Sequence, residues 1–171
     1  MASICLTVFI LLLLICFCQS DDQLTSARPL SPGDLLISKN GVFALGFFSP
    51  VGSNESMYAG IWFHGIPEHN RTIVWVANRD NPAKSTAASP AKLAITHNQG
   101  LVLSDTEGRR TLWTTAANIT AGVGVAVAVP LNSGSFVLRS ANGTVLLWQS
   151  FDHPTPTMLP TMKVKGRVPT C

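Results

Sequence analysis

FVLRSANGTVLLWQS, residues Phe136–Ser150, decides the fold, because LVLSDTEGRRTLWTT at Leu101–Thr115 follows the same plan. In both, an apolar triplet is followed by a polar turn containing glycine and then by an apolar pair ending in tryptophan. Val102 precedes Trp113, and Val137 precedes Trp148, by the same eleven residues, and the two copies stand 35 positions apart. A looser third copy ends in IVWVANRD, placing Trp75 38 positions before Trp113. Self-similarity at a fixed period marks one supersecondary unit used several times, each too small to bury its own apolar face.

Outward from these copies the chain reads as short strands. Leu35–Ser38, Val42–Phe48, Met57–Phe63 and Thr72–Ala77 are apolar runs separated by turns rich in Gly, Pro and Asn. Phe43, Leu45 and Phe47 alternate onto one face, the pattern of a half-buried strand. The second repeat occupies Lys92–Thr115. In Gly122–Val129, Val123, Val125, Val127 and Val129 share one face, and the small Gly and Ala residues opposite suit close approach of another sheet. Asn142-Gly143 is a strong hairpin signal. Asp21–Ser31 is polar and extended, with Pro29 and Pro32 opposing a helix. About ten to twelve short strands at near-regular spacing predict an all-β domain. Three units ending in tryptophan predict pseudo-threefold symmetry, with Trp75, Trp113 and Trp148 meeting near the axis. The alternative is a sandwich that holds the three indoles apart.

MASICLTVFILLLLICFCQS, residues 1–20, reads as a signal peptide. Its apolar run is shorter than the roughly 20 residues that span a bilayer, and Cys18 and Ser20 suit signal-peptidase positions. Cleavage before Asp21 would deliver the chain to the extracellular space. The remainder fits one domain burying about two-thirds of its unfolded surface. No second apolar run is long enough for a membrane span. The net charge is +3 with basic residues scattered, so nucleic-acid or acidic-membrane binding gains no support. Cys5, Cys16 and Cys18 leave with the signal, and Cys171 alone remains. The fold must therefore rest on its apolar core, and the lone terminal thiol suggests a chain that stops early rather than an intermolecular bridge.

The segments GVFALGFFSP, YAGIWF, IVWVANRDNP and WQSFDHPTPTMLP resemble the bulb-type (monocot mannose-binding, snowdrop-like) lectin domain. The version they look like heads the extracellular part of plant S-locus glycoproteins and S-domain receptor-like kinases. The resemblance covers 21–160 and implies a β-prism of three four-stranded antiparallel sheets around a pseudo-threefold axis. Residues 161–171 depart from the family pattern as a divergent tail, and no kinase motif accompanies the domain. The resemblance implies an extracellular (apoplastic) recognition domain with mannose-type glycans or receptor ectodomains as partners, and leaves the oligomeric state open.

Sugar binding in the family resembles a Gln-x-Asp-x-Asn-x-Val-x-Tyr pattern, expected along one strand so that alternate residues share a face. Alignment on Val102 assigns Thr96, Asn98, Gly100, Val102 and Ser104 to the five positions, with only Val102 matching and Asn98 a substitute for Asp. Alignment on Val137 gives Leu131, Ser133, Ser135, Val137 and Arg139, where again only Val matches. Lost hydrogen-bonding side chains weaken a site built for hydroxyls. A protein-interaction module that no longer binds sugar is therefore the competing expectation, and a gene fragment without independent function the third.

Enzyme readings find little support. Ser150, Asp152 and His153 are the residue types of a hydrolase triad, but they lie in a Pro-punctuated turn without a Gly-flanked nucleophile, which reads as a structural corner. His64, His69, His97 and His153 lack metal-ligand spacing, and neither a metal nor a cofactor is expected. Four sequons, at Asn54, Asn70, Asn118 and Asn142, fall in turns or loops and are expected N-glycosylation sites, Asn142 being the most constrained by its hairpin.

Overall fold

The computed structural model describes residues 23–50, 56–84, 91–105, 110–117 and 125–153. The expected signal segment, Asn54, Asn118, Val123 and the tail with Cys171 lie outside the described residues. Strands follow in the order β1 (Leu24–Thr25), β2 (Leu35–Ile37), β3 (Phe43–Phe48), β4 (Ser56–Phe63), β5 (Ile73–Val76), β6 (Ala83–Lys84), β7 (Lys92–Thr96), β8 (Gly100–Ser104), β9 (Thr111–Thr114), β10 (Ala126–Pro130), β11 (Phe136–Ser140) and β12 (Leu146–Gln149). Short 3-10 turns at Glu68–Asn70 and Ser150–Asp152 are the helical elements among the described residues.

Three antiparallel sheets result. The first is β2-β3-β4-β5 with β6 paired to β4, the second β7-β8-β9, and the third β1-β10-β11-β12. The second sheet has three strands and gains its fourth position from a single bridge, in which Leu30 and Leu93 exchange both backbone hydrogen bonds at 2.8 and 2.9 Å. The expected three four-stranded sheets are thus observed with one strand more in the first, where β6 joins β4, and one fewer in the second, where the Leu30 bridge takes the fourth place.

The repeat is visible as three rows of paired residues. Leu36, Leu45, Ile61 and Trp75 cross the first sheet. Leu30, Leu93, Leu103 and Trp113 cross the second. Leu24, Ala128, Leu138 and Trp148 cross the third. Every row faces the common core. Immediately beyond each row the register slips, at Ile61/Trp62, Leu103/Ser104 and Leu138/Arg139. A bulge bends its strand and increases local twist, which turns each sheet around the axis.

The three indoles close this core. Trp75, Trp113 and Trp148 lie 5.7, 5.6 and 5.6 Å apart between ring centroids, with interplanar angles of 72°, 62° and 74°. Each presents its edge to a neighbour's face, the arrangement that aromatic quadrupoles favour, worth about 0.5–1.5 kcal/mol per pair beyond burial. The expected meeting of the three tryptophans near the axis is observed, and the sandwich alternative is excluded.

The N-terminal segment does more than run extended. Leu24, Leu30 and Leu36, six residues apart, each edge a different sheet, so one polar-looking stretch straps all three together. In β10, Ala126 and Ala128 face the core, and Val127 and Val129 lie buried on the opposite face. Ala128 holds the place that Leu45 and Leu93 hold in the other sheets, consistent with close approach. Val125 is exposed and precedes the strand rather than continuing its buried face.

The same five-residue closure ends a strand pair in each sheet. The Ser38, Asp105 and Ser140 amides donate to the carbonyls of Phe43, Arg110 and Val145. The Ser38, Asp105 and Ser140 side-chain oxygens accept the amides of those same three residues, at 2.9, 3.1 and 3.0 Å. In two copies the turn reads Ser-x-Asn-Gly, with Gly41 and Gly143 both at φ 74°, a conformation that glycine adopts at little cost.

Candidate functional site

Strict alternation fixes which residues each sheet turns outward. In the second sheet Leu93, Ile95, Leu101 and Leu103 point to the core, leaving Ala94, Thr96, Val102 and Ser104 on the outer face. The five residues expected along one strand instead straddle a hairpin: Thr96 ends β7, Asn98 sits in the turn, and Gly100, Val102 and Ser104 lie on β8. The reversal needs Gly100, which has φ 70°. It also leaves no room there, since a Cβ on Gly100 would strike Thr115 and the Ala117 carbonyl. A hydrogen-bonding side chain therefore has no place at this position.

Thr96 and Asn98 are exposed, while Val102 is buried. The hydroxyls nearby are largely committed to backbone. Thr96 Oγ1 donates to the Gly100 carbonyl at 3.4 Å, and the Thr114 and Thr115 hydroxyls both donate to the Gln99 carbonyl, at 2.9 and 3.1 Å. Thr115 Oγ1 also accepts the Leu101 amide at 3.0 Å. The structure thus brings Thr96, Gly100, Val102 and Ser104 onto one outer face beneath the Asn98 turn. Sugar hydroxyls approaching it would meet Thr96 and Asn98 as exposed polar side chains over a Val102 floor.

In the third sheet Val137 and Arg139 alternate on the outer face of β11, with Ser135 just before the strand and Leu131 and Ser133 in the hairpin that precedes it. The first sheet turns outward an aromatic cluster that sequence reasoning did not single out. Phe48 stacks on Tyr58 at 5.7 Å and meets Trp62 edge-on at 6.1 Å, and the Arg71 guanidinium lies 4.4 Å above Trp62. These rings rest on glycines. A Cβ on Gly46 would come within 2.9 Å of Trp62, and one on Gly60 within 2.8 Å of Phe48.

At the axis end, a cavity of about 340 Å³ is lined by Trp75, Trp113 and Trp148 together with Arg79, Asp80 and His153. His153 stacks on Trp148 at 5.6 Å and 13°, and its carbonyl accepts the Trp75 Nε1 proton. Ser150 is fully buried, with its hydroxyl oxygen accepting the Phe136 amide at 2.9 Å, and Asp152 accepts from Gln149 Nε2 at 3.0 Å. The Ser150/Asp152/His153 cluster is thus engaged in closing the chain onto the prism. His64 Nδ1 pairs with the Gly41 carbonyl. Asn70 and Asn142 are exposed. Asn142 Oδ1 accepts from Ser140, from the Thr144 amide and from the Thr144 hydroxyl, and so organises its own turn.

Three antiparallel sheets around an axis filled by three tryptophans define a β-prism of the bulb-lectin type. Sequence comparison agrees: the chain belongs to the D-mannose binding lectin family, which matches residues 72–170. It is similar to the Arabidopsis thaliana receptor-like serine/threonine-protein kinase SD1-7, at 45% identity over 159 residues covering 91% of this chain and 18% of that protein. It is also similar to the S-locus-specific glycoprotein S6 of Brassica oleracea, at 39% identity over 166 residues, 93% of this chain and 36% of that protein. A third relative, the G-type lectin S-receptor-like serine/threonine-protein kinase At1g11300 of A. thaliana, shares 38% identity over 135 residues, 79% of this chain and 16% of its own. The chain thus spans a fifth or less of the kinases' length and corresponds to their lectin portion. Residues upstream of Thr72 belong to the same prism, since β2–β5 form one sheet and Leu24 and Leu30 edge the other two.

Proposed function

We propose that this chain is a secreted, non-enzymatic recognition domain that reads saccharides on the outer faces of its prism. The observation that carries this reading is the outer face of β7–β8, where exposed Thr96 and Asn98 stand over buried Val102. The Gln, Asn and Tyr positions of the family pattern are taken here by Thr96, Gly100 and Ser104, which removes hydrogen-bonding reach. Mannoside binding at this face is accordingly weak. Asn54, Asn70, Asn118 and Asn142 carry the N-linked glycans that keep the domain soluble. The phosphotransfer named in the kinase relatives belongs to those proteins.

Calorimetric titration of the deglycosylated chain with methyl α-mannoside tests the reading. Saturable binding that the Thr96→Ala/Asn98→Ala double substitution abolishes supports it. Binding unchanged by that substitution removes this face from the proposal.

A second reading rests on the outer face of the first sheet. Phe48, Tyr58 and Trp62 under Arg71, beside the exposed Leu35, form an aromatic and cationic surface of the kind enriched at protein interfaces. Contact with a receptor ectodomain through this sheet is the alternative function. It is favoured if the folded domain binds no glycan.

A further inference from the structure

We propose that a cleft between the first and third sheets binds the carboxylate of an acidic sugar. The inference rests on the reading of the domain as a saccharide binder, and it concerns the third copy of the pattern, where Leu131, Ser133 and Arg139 replace the residues that mannose would need. The cleft encloses about 440 Å³ between the Lys39–Asn40 turn and the hairpin joining β10 to β11. That size falls within the roughly 300–1,000 Å³ of small-molecule sites and has room for a pyranose ring.

Its chemistry is one-sided. Lys39 and Arg139 both line it, Asn132 and Ser133 add polar groups, Val129 and Leu131 provide an apolar wall, and none of its described lining residues is acidic. The cavity of about 420 Å³ between Lys84 and Arg110 differs, because Asp105 lines it and Arg110 already donates to Asn81 Oδ1 at 2.9 Å. In the Lys39/Arg139 cleft no such compensation is present among the described residues. Arg139 Nε is shielded from solvent without a hydrogen-bond partner. The Ser135 hydroxyl, immediately before β11 and outside the cleft lining, is also shielded and unpartnered. The unsatisfied Arg139 N–H beside the cleft marks a place where a ligand's oxygens would complete the bonding.

The cleft is also held open by the fold. The Asn40 amide donates to Asn132 Oδ1 at 3.0 Å across 92 positions of sequence, fixing the two turns relative to each other. Asn40 is fixed in turn by Ser38, whose hydroxyl donates to Asn40 Oδ1 at 2.8 Å. A guanidinium presents a planar fork that matches the two oxygens of a carboxylate, and Lys39 adds a point charge. The ring hydroxyls of a uronic acid then face Asn132 and Ser133. At the position that the family pattern gives to tyrosine, Arg139 converts a site for neutral hydroxyls into one selective for charge.

The test is a titration of the deglycosylated, secreted chain with methyl galacturonoside and methyl galactoside, at low and at physiological salt, with inorganic phosphate as competitor. The expected result is that the uronoside binds about tenfold or more tightly than its neutral counterpart, weakens with salt, and resists displacement by phosphate. Arg139→Gln and, separately, Lys39→Gln each remove most of that preference. Lys39 is exposed, so its variant remains informative if Arg139→Gln fails to fold. Equal affinity for uronoside and galactoside overturns the inference while leaving saccharide recognition intact. So does a preference for the uronoside that survives both substitutions. Phosphate competing as well as the sugar reduces the cleft to a general anion site. A folded chain that binds none of these sugars removes the inference and the reading beneath it together.

Discussion

The indole nitrogen of Trp75 donates to the backbone carbonyl of His153 at 3.0 Å, joining the first repeat to the residue that ends the Ser150–Asp152 turn, 78 positions away. Because His153 also lies flat on Trp148, this contact locks the tryptophan triad from the C-terminal side. Trp75→Phe keeps an aromatic ring but leaves the carbonyl unpaired, and is expected to cost about 1–3 kcal/mol. Trp113→Ala opens a cavity at the axis and is expected to cost about 3–5 kcal/mol. Urea unfolding followed by tryptophan fluorescence measures both, and equal effects from the two variants would contradict the assigned roles.

The Ser38 closure is buried and the Ser140 closure partly so. Ser38→Ala leaves the buried Phe43 amide without its acceptor and should destabilise by about 1–3 kcal/mol. Ser140→Ala should cost less, since the Val145 amide is only partly shielded. Thermal melts of the two single variants provide the comparison.

Leu30 belongs to no strand among the described residues, yet it is buried and paired with Leu93. Leu30→Ala should cost about 2–5 kcal/mol, as for a core leucine. A cost near zero in chemical denaturation would show that the N-terminal segment does not clamp the second sheet.

Gly60 packs beneath Phe48, and an added Cβ would meet the Trp75 carbonyl at 2.6 Å. Since that obstacle is backbone, Gly60→Ala should cost about 1–3 kcal/mol through overpacking. It should also disturb the Phe48–Tyr58 pair, visible as a near-ultraviolet circular dichroism change. An unchanged spectrum and stability would contradict the packing described for this face.

Much of the fold could be read from the chain because the repeat is written in large apolar residues. The spacing from Val102 to Trp113 and from Val137 to Trp148 carried both the repeating unit and the axis, and the structure adds the strand order and a bulge immediately beyond each Trp row. Less visible were contacts made by residues with weak local signals. Leu24, Leu30 and Leu36 sit among prolines and polar residues, and their six-residue spacing matches neither a strand nor a helix period. Each pairs with a different sheet, a relationship that exists only after folding. The Ser38-Lys39-Asn40-Gly41 and Ser140-Ala141-Asn142-Gly143 turns were a legible repeat that periodicity of apolar residues does not register. At the candidate site, alignment found Val102 but placed Thr96 through Ser104 on one strand. The positive φ of Gly100 puts a turn there instead. Arg139 counted as a mismatch in sequence, because only the fold brings Lys39 to face it.

The most direct test of the central claim, that these outer faces recognise saccharide, is a glycan-array screen of the deglycosylated chain from Asp21 to Cys171, secreted from a eukaryotic host. Selective, competable binding to a defined class of saccharides is expected, strongest for those bearing a uronic acid. A chain that is folded by circular dichroism and binds nothing on the array contradicts it, and assigns recognition to the aromatic face of the first sheet.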